Sequence, residues 1–361
     1  MWEFWIHETR TGDLVMPVEP MQSRANRTLD GTGTGQHVLA GQQLGRSLIK
    51  EILVGNRYSL AIGWAGTTHC AYDGVILGRR INEATGQVAL RTKELPSAIL
   101  ARRSFFGVNQ YDAEDGKFAI TGRSFATAAS MILQAGMAPS SEWSLPIDAL
   151  ANTSGPFSAE WLHEEALKVG DMIEQIRDEG YEVDLRPYFS GQQVRHAPRI
   201  AQAITHGTAT EVVAGGPGIV GLASLEVDHD WSEQLTGVGG FGNGTGEDKL
   251  YRYAPATGSG ATVDPVMDDF VHFQDLEDTT RLQRAATAHY EAHKGPVEQT
   301  TFSLPMWTYA EGPAVADPGR VLDLWSYGAL SLDDGLTKKR TVALEMDLST
   351  IVRPEVQSVA A

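Results

Sequence analysis

Cysteine is almost missing from this chain. Cys70 is the single thiol in 361 residues, which excludes an internal disulfide and a thiolate zinc cage and leaves a small strand residue as its plain reading. Long hydrophobic runs are missing too. No apolar stretch approaches the roughly 20 residues a membrane helix needs, and the N-terminus has no basic region followed by an apolar one. The sequence therefore predicts a protein that does not leave by the ordinary secretory route. Basic residues are scarce: 29 Lys and Arg stand against 46 Asp and Glu, for a net charge of −17. That balance argues against tight nucleic-acid binding, which needs clustered cations. An acidic wall would instead repel a passing duplex and keep it from sticking, although solubility alone explains the charge equally well.

What is present is a folded, mainly β chain. With 42% hydrophobic and 21% charged residues, it can bury more than one core, and its length suggests two or three domains. Trp2-Glu3-Phe4-Trp5-Ile6 alternates as a strand, and Thr11-Gly12 turns it back through Leu14-Val15-Met16. Thr85-Gly86 does the same between Val75-Ile76-Leu77 and Gln87-Val88-Ala89-Leu90, and Asp334-Gly335 between residues 321–325 and 341–346. Gly31-Thr32-Gly33-Thr34-Gly35 reads as a break in β structure. A dinucleotide fingerprint needs another spacing and a helix directly after it.

Helices are expected in the middle of the chain. Phe125, Ala128, Ala129 and Ile132 mark one, capped by Ser124 and stopped by Gly136. A second is expected over residues 158–179, with Leu162, Ala166, Val169, Ile173 and Ile176 as its stripe, Gly170 as a break and Gly180 as its stop. A third is expected over residues 275–292, buried through Leu282, Ala285, Ala286 and Tyr290 and ended by Gly295-Pro296. Two constellations could bind metal. His289 and His293 have the four-residue spacing of a zinc pair, but Tyr290 stands where the protease motif places Glu. Asp228-His229-Asp230 ends a strand, where neighbours point to opposite faces and cannot chelate together without a bulge. Neither is expected to hold a metal, and no catalytic or cofactor-binding residue is expected.

The order of these segments resembles a known family. The Trp-rich first strand with Arg10-Thr11-Gly12, Leu29-Asp30-Gly31-Thr32-Gly33 and Ile62-Gly63-Trp64-Ala65-Gly66 look like the minor tail proteins of long-tailed phages of actinobacteria. So do Gly170-Asp171-Met172-Ile173, Asp184-Leu185-Arg186-Pro187, Asp347-Leu348-Ser349 and Arg353-Pro354-Glu355-Val356-Gln357. The resemblance implies a non-enzymatic tail-tip hub, similar in architecture to the central hub of contractile-tail baseplates. It implies a mainly β fold with α+β inserts: two tube-type β-barrels plus an inserted helix-containing α/β region. The first barrel is placed at residues 1–100, completed by strands from about 190–260, the insert at 101–190, and a helix plus the second barrel at 265–361. A homotrimer of two-barrel subunits would match a sixfold tail tube to a threefold tip. Expected partners are the distal tail protein ring, the tape measure protein and other minor tail or receptor-binding proteins, with DNA only in passage. Trp307, Tyr309, Trp325 and Tyr327, read as alternating on C-terminal strands, are the expected inter-subunit residues, and ordinary barrel core explains them equally well. Two other readings compete: a cell-wall or polysaccharide hydrolase with acids drawn from Glu226, Asp228 and Asp230, and a carbohydrate-binding tip protein using exposed tryptophans.

Overall fold

The structure is a computed structural model that describes residues 1–51, 56–106, 116–138, 141–214, 222–256, 265–273, 278–295, 297–328 and 332–358. It divides into two compact units, one of residues 1–225 and 302–361, the other of residues 226–301. In the larger unit the chain runs through β1 (Trp2–Glu8), β2 (Leu14–Val18), β3 (Pro20–Thr28), β4 (Thr34–Ala40), α1 (Gly41–Glu51), β5 (Tyr58–Trp64), β6 (Cys70–Asn82) and β7 (Gln87–Glu94). An inserted region follows, with β8 (Lys117–Arg123), α2 (Phe125–Ala135), β9 (Phe157–Leu162) and α3 (Val169–Asp178). Then come β10 (Glu182–Ser190), β11 (Gln193–Ala201), β12 (His206–Ala214) and β13 (Ser224–Asp230), the last leading into the smaller unit. That unit holds β14 (Gly237–Phe241), β15 (Tyr251–Ala254), β16 (Asp268–His272) and α4 (Thr279–His293). The chain returns through β17 (Val297–Pro305) and ends in β18 (Arg320–Ser326), β19 (Gly335–Asp347) and β20 (Ile351–Ser358).

Among the described residues thirteen strands share one hydrogen-bonded sheet, in the order β13-β17-β20-β19-β3-β4-β7-β6-β5-β1-β2, with β18 also on β19 and β12 on β18. The expected hairpins form: β1 returns as β2, β6 as β7, and β18 as β19. The first and last thirds of the chain meet where Arg24–Thr28 of β3 pairs antiparallel with Ala343–Asp347 of β19. One continuous core, with Ile6, Leu39, Leu60 and Leu90 from the N-terminal strands and Leu322, Leu324, Leu344 and Val352 from the C-terminal ones, lies against this sheet. Burying so much aliphatic surface is what holds the two ends together.

Of the strands between residues 190 and 260, β12 and β13 take C-terminal partners. β12 pairs parallel with β18 through Val212↔Leu324, and β13 pairs with β17, so both join the C-terminal strands rather than completing the N-terminal set. Val212 and Ala214 are buried in the core that contains Leu322 and Leu324, which decides their partner. β10 and β11 lie against the N-terminal strands, where Phe189 and Val194 pack with Leu14 and Ala61 and the Val194 N–H donates to the Gly12 carbonyl at 2.8 Å. Gly12 sits at a φ of +78°, and a Cβ there would lie 2.1 Å from the Val194 oxygen, so this close approach requires glycine.

Of the three expected helices one changes, and a further helix forms that the pattern did not announce. α1 escaped the sequence reading because Gly45, at a φ of +66°, kinks it and leaves Leu44 as its one fully buried residue. The helix expected over residues 158–179 is a strand and then a helix. Phe157 and Trp161 alternate inward along β9, Leu162 is exposed, and Ala166 takes a left-handed φ of 50° that breaks the stripe. α3 begins only at Val169, where the Asp171 carboxylate accepts from the Lys168 N–H at 2.9 Å. α2 forms as expected, with Ser124 Oγ accepting from the Thr127 N–H at 3.2 Å. α4 is capped by Asp278, and the expected start at residue 275 lies outside the described residues. Leu282, Ala286 and Tyr290 of α4 are buried, whereas Ala285 is only half-buried. In the smaller unit, Ala286 and Tyr290 pack with Val238 and Ala254 of its three-stranded sheet.

Candidate functional site

The expected contact aromatics are largely on the surface. Trp307 is 68% exposed and lies in the short 3-10 turn Met306–Thr308, not on a strand. Tyr309 follows that turn, half-buried against the core, and burial pushes its hydroxyl up to about 12. Trp325 lies on the outer face of β18, because Leu322 and Leu324 take the core side. Tyr327, 52% exposed just beyond the strand, stacks on it with ring centroids 6.2 Å apart and planes 3° from parallel. The hairpin pattern hid the change at Pro305, after which the chain leaves the sheet.

Trp307 belongs to a larger aromatic groove that the sequence reading missed. Trp2, Trp5, Trp64 and Trp307 line a surface groove of about 610 Å³. Trp2 meets Trp64 edge-on at 5.1 Å, and its Nε1 donates to the Ser349 carbonyl oxygen at 2.6 Å. The groove thus joins the start of β1, the end of β5 and the loop between β19 and β20. The one available signal was the spacing of Trp2 and Trp5 on an N-terminal strand, and it gave no hint of Trp64 or Trp307 as neighbours.

Beneath the surface a buried ionic cluster ties three parts of the larger unit together. Arg27, fully buried on β3, donates from Nη2 to Asp184 of β10 at 2.9 and 3.0 Å and from Nη1 to Asp317 at 2.5 Å. Arg186 reaches the second Asp317 oxygen at 2.8 Å, and Arg199 of β11 shares Asp184 at 2.5 Å. Burial by itself lowers the Arg27 pKa, yet Asp184, Asp317 and Glu94 outweigh it and hold the guanidinium charged. Burial would likewise raise the Asp317 carboxyl, but Arg27, His69 and Arg186 hold it well below the ordinary carboxylate range. Glu94 behaves differently. Its Oε2 accepts from the Gly33 N–H at 2.8 Å while Oε1 lies 3.8 Å from Arg27 Nε, and burial pushes the carboxyl up to about 8.

A second buried group joins His7 Nε2 to Asp73 Oδ1 at 2.7 Å and His196 Nε2 to Asp73 Oδ2 at 3.2 Å. All three are almost inaccessible, so this is a pin between β1, β6 and β11 rather than a reactive centre. The acids considered for hydrolysis lie on one exposed strand face. Glu226, Asp228 and Asp230 are all exposed on β13, and hydrogen bonds from Ser232 lower the Asp230 pKa, opposite to what a general acid needs. His289 and His293 stack at 4.4 Å, and the His293 ring nitrogen lies 2.8 Å from the His289 carbonyl oxygen. Among the described residues no three His, Cys, Asp or Glu side chains sit where they could hold one metal ion.

No protein-family model and no curated protein matches the chain. Solved structures do match, over almost its whole length. A 43 kDa prophage tail protein from Shewanella oneidensis superposes with a TM-score of 0.62, 8% identity, and coverage of 99% of this chain and 98% of that one. The chain has the fold of such tail proteins. A tail protein from Neisseria meningitidis gives 0.57 at 12% identity, covering 98% of this chain and 96% of that one. In the lidded Francisella PdpA–VgrG complex the match is 0.55 at 8% identity, with 99% of this chain covered but only 52% of the other. The expectation of a mainly β tail fold with helical inserts is met, while nothing in these matches points to phages of actinobacteria in particular.

Proposed function

We propose that this protein is a structural component of a phage tail, a hub of the tail tip that works by assembly rather than by chemistry. The observation that carries this reading is the end-to-end match to tail proteins of nearly the same extent. A partial match would have suggested a shared module, whereas here almost nothing on either side is left over. The exposed Trp307 and the aromatic groove around it support an assembling surface, since large aromatic rings are enriched where subunits meet.

In this reading three copies form a ring between a sixfold tube and a threefold tip. The N-terminal strands of residues 1–100 and the C-terminal strands of residues 302–358 serve as the two barrel-type halves of each subunit. The distal tail protein ring and the tape measure protein are its neighbours, receptor-binding or other minor tail proteins attach around it, and DNA passes without specific binding. Its place is the tip of the virion tail. Native mass spectrometry of the purified full chain tests this. Trimers support the hub, and a stable 39.1 kDa monomer at micromolar concentration, especially one that cleaves polysaccharide, removes it.

A further inference from the structure

For a chain of net charge −17, contact between copies is repulsive on average, so a stable contact needs local charges of the other sign. The larger unit gathers such charges in one place. Arg10, Arg57, Arg102 and Arg103 line a cleft of about 820 Å³, which Trp143 also lines, with Glu8 and Glu142 as its acids. Arg57 is only loosely paired with Glu8, at 3.8 Å. Arg102 is exposed, and its guanidinium has no partner among the described residues. Arg103 is half-buried, donates to the Trp143 carbonyl at 2.6 Å and lies 5.3 Å from the indole centre, with burial lowering its pKa. A cleft of arginines over an indole is shaped to take carboxylates or phosphates.

The opposite charge lies on another face of the same segment. Within residues 96–104, Ile99, Arg102 and Arg103 line the cleft, whereas Pro96, Ser97 and Ala101 line a groove with Asp171 and Glu174 of α3. α3 packs there because Gly170 lets its first turn approach the Ala101 backbone, where a Cβ would come within 2.7 Å. The outer face of α3 exposes Asp171, Glu174 and Asp178. Lys168 precedes the helix, and the cation on the helix itself, Arg177, is already held by Glu174 at 3.1 Å and by the Asp30 and Val183 carbonyls at 3.0 and 3.2 Å.

We propose that these two faces are the halves of one contact: the arginine cleft of one copy receives the acidic outer face of α3 from the next. Because donor and acceptor faces differ, the contact is head-to-tail, the kind that closes into a ring. The inference rests on the self-assembling hub reading and adds to it the residues that set the register between copies.

Charge swapping tests it on the full chain by sedimentation over a range of concentration and salt. Reversing the cleft (Arg57→Glu with Arg102→Glu) or the helix face (Glu174→Arg with Asp178→Arg) should each raise the half-assembly concentration about tenfold or more. Combining all four substitutions in one chain should restore assembly. Should the cleft double variant melt early, Arg102→Glu alone decides, since that side chain is exposed and unpaired. Reversed variants that assemble like the parent overturn the contact while leaving the hub reading intact. A parent chain that stays monomeric throughout overturns both. Duplex DNA retained by the parent but lost in the cleft variants overturns the contact by assigning the cleft to phosphate.

Discussion

Arg27 and Asp184, 157 positions apart, share two hydrogen bonds of 2.9 and 3.0 Å with neither residue open to solvent. This links the strand β3 at the seam of the sheet to β10, which follows the insert, while Asp317 brings in the C-terminal part. Removing the cation takes the central charge from two buried carboxylates and leaves Asp184 only Arg199 and Asp317 only Arg186 as close guanidinium partners. Arg27→Met is therefore expected to lower unfolding free energy by about 3–5 kcal/mol, read from a denaturant titration. Replacing Asp184 and Asp317 by Leu and Arg186 and Arg199 by Met in the same chain should recover part of that loss, because a buried ion network can be replaced by apolar packing when the whole of it is exchanged. A midpoint unchanged in Arg27→Met would show that water already reaches the cluster.

Stability should peak near neutral pH. Burial lowers His37 and His69 to about 4 from 6.5, so the unfolded chain takes up their protons first and stability falls as pH drops through that window. His206 follows the same direction, through burial and then Arg199. Glu94 runs the other way: raised from 4.5 to about 8, it keeps its proton when folded, so stability falls as pH rises toward 8. Between 4.5 and 6.5 the histidines outnumber it, and above 6.5 it acts alone among these groups. Melting temperatures of Glu94→Gln should accordingly lose the decline between pH 6.5 and 8, and an unchanged decline in that variant would remove Glu94 as its source.

Trp307 and Trp325 allow assembly to be separated from folding. Trp307 is mostly exposed and Trp325 lies on an outer sheet face, so changing either to Ala should shift monomer stability by well under the ~3–5 kcal/mol of a core aromatic. Their loss is expected to weaken self-association, measured by light scattering at matched concentrations. A large fall in melting temperature with assembly intact would return both to the role of packing residues.

His289 and His293 should be dispensable. With one ring nitrogen of His293 already against the His289 carbonyl, replacing both by Gln is expected to leave thermal stability nearly unchanged, and chelators should have no effect. Stoichiometric zinc by elemental analysis, absent from the double variant, would reverse this view and revive an enzymatic role.

The sequence by itself determined the local devices. Alternation in Trp2–Ile6, the turn glycines at 12 and 86, and the Ser124 cap act through neighbours a few residues away, and each appears where its pattern places it. It also determined the class of the fold, because the order of hairpins and inserts is a property of the chain. Local pattern failed where a distant partner or a single backbone angle decided the outcome. The stripe through Leu162 and Ala166 satisfied helical spacing, yet β9 forms because it pairs with β8, and Ala166 turns the chain before α3. The seam between β3 and β19, the Arg27 cluster, the tryptophan groove and the arginine cleft were decided by tertiary structure alone. Each joins residues tens to hundreds of positions apart, and buried charges gain their partners only when the whole sheet closes over them.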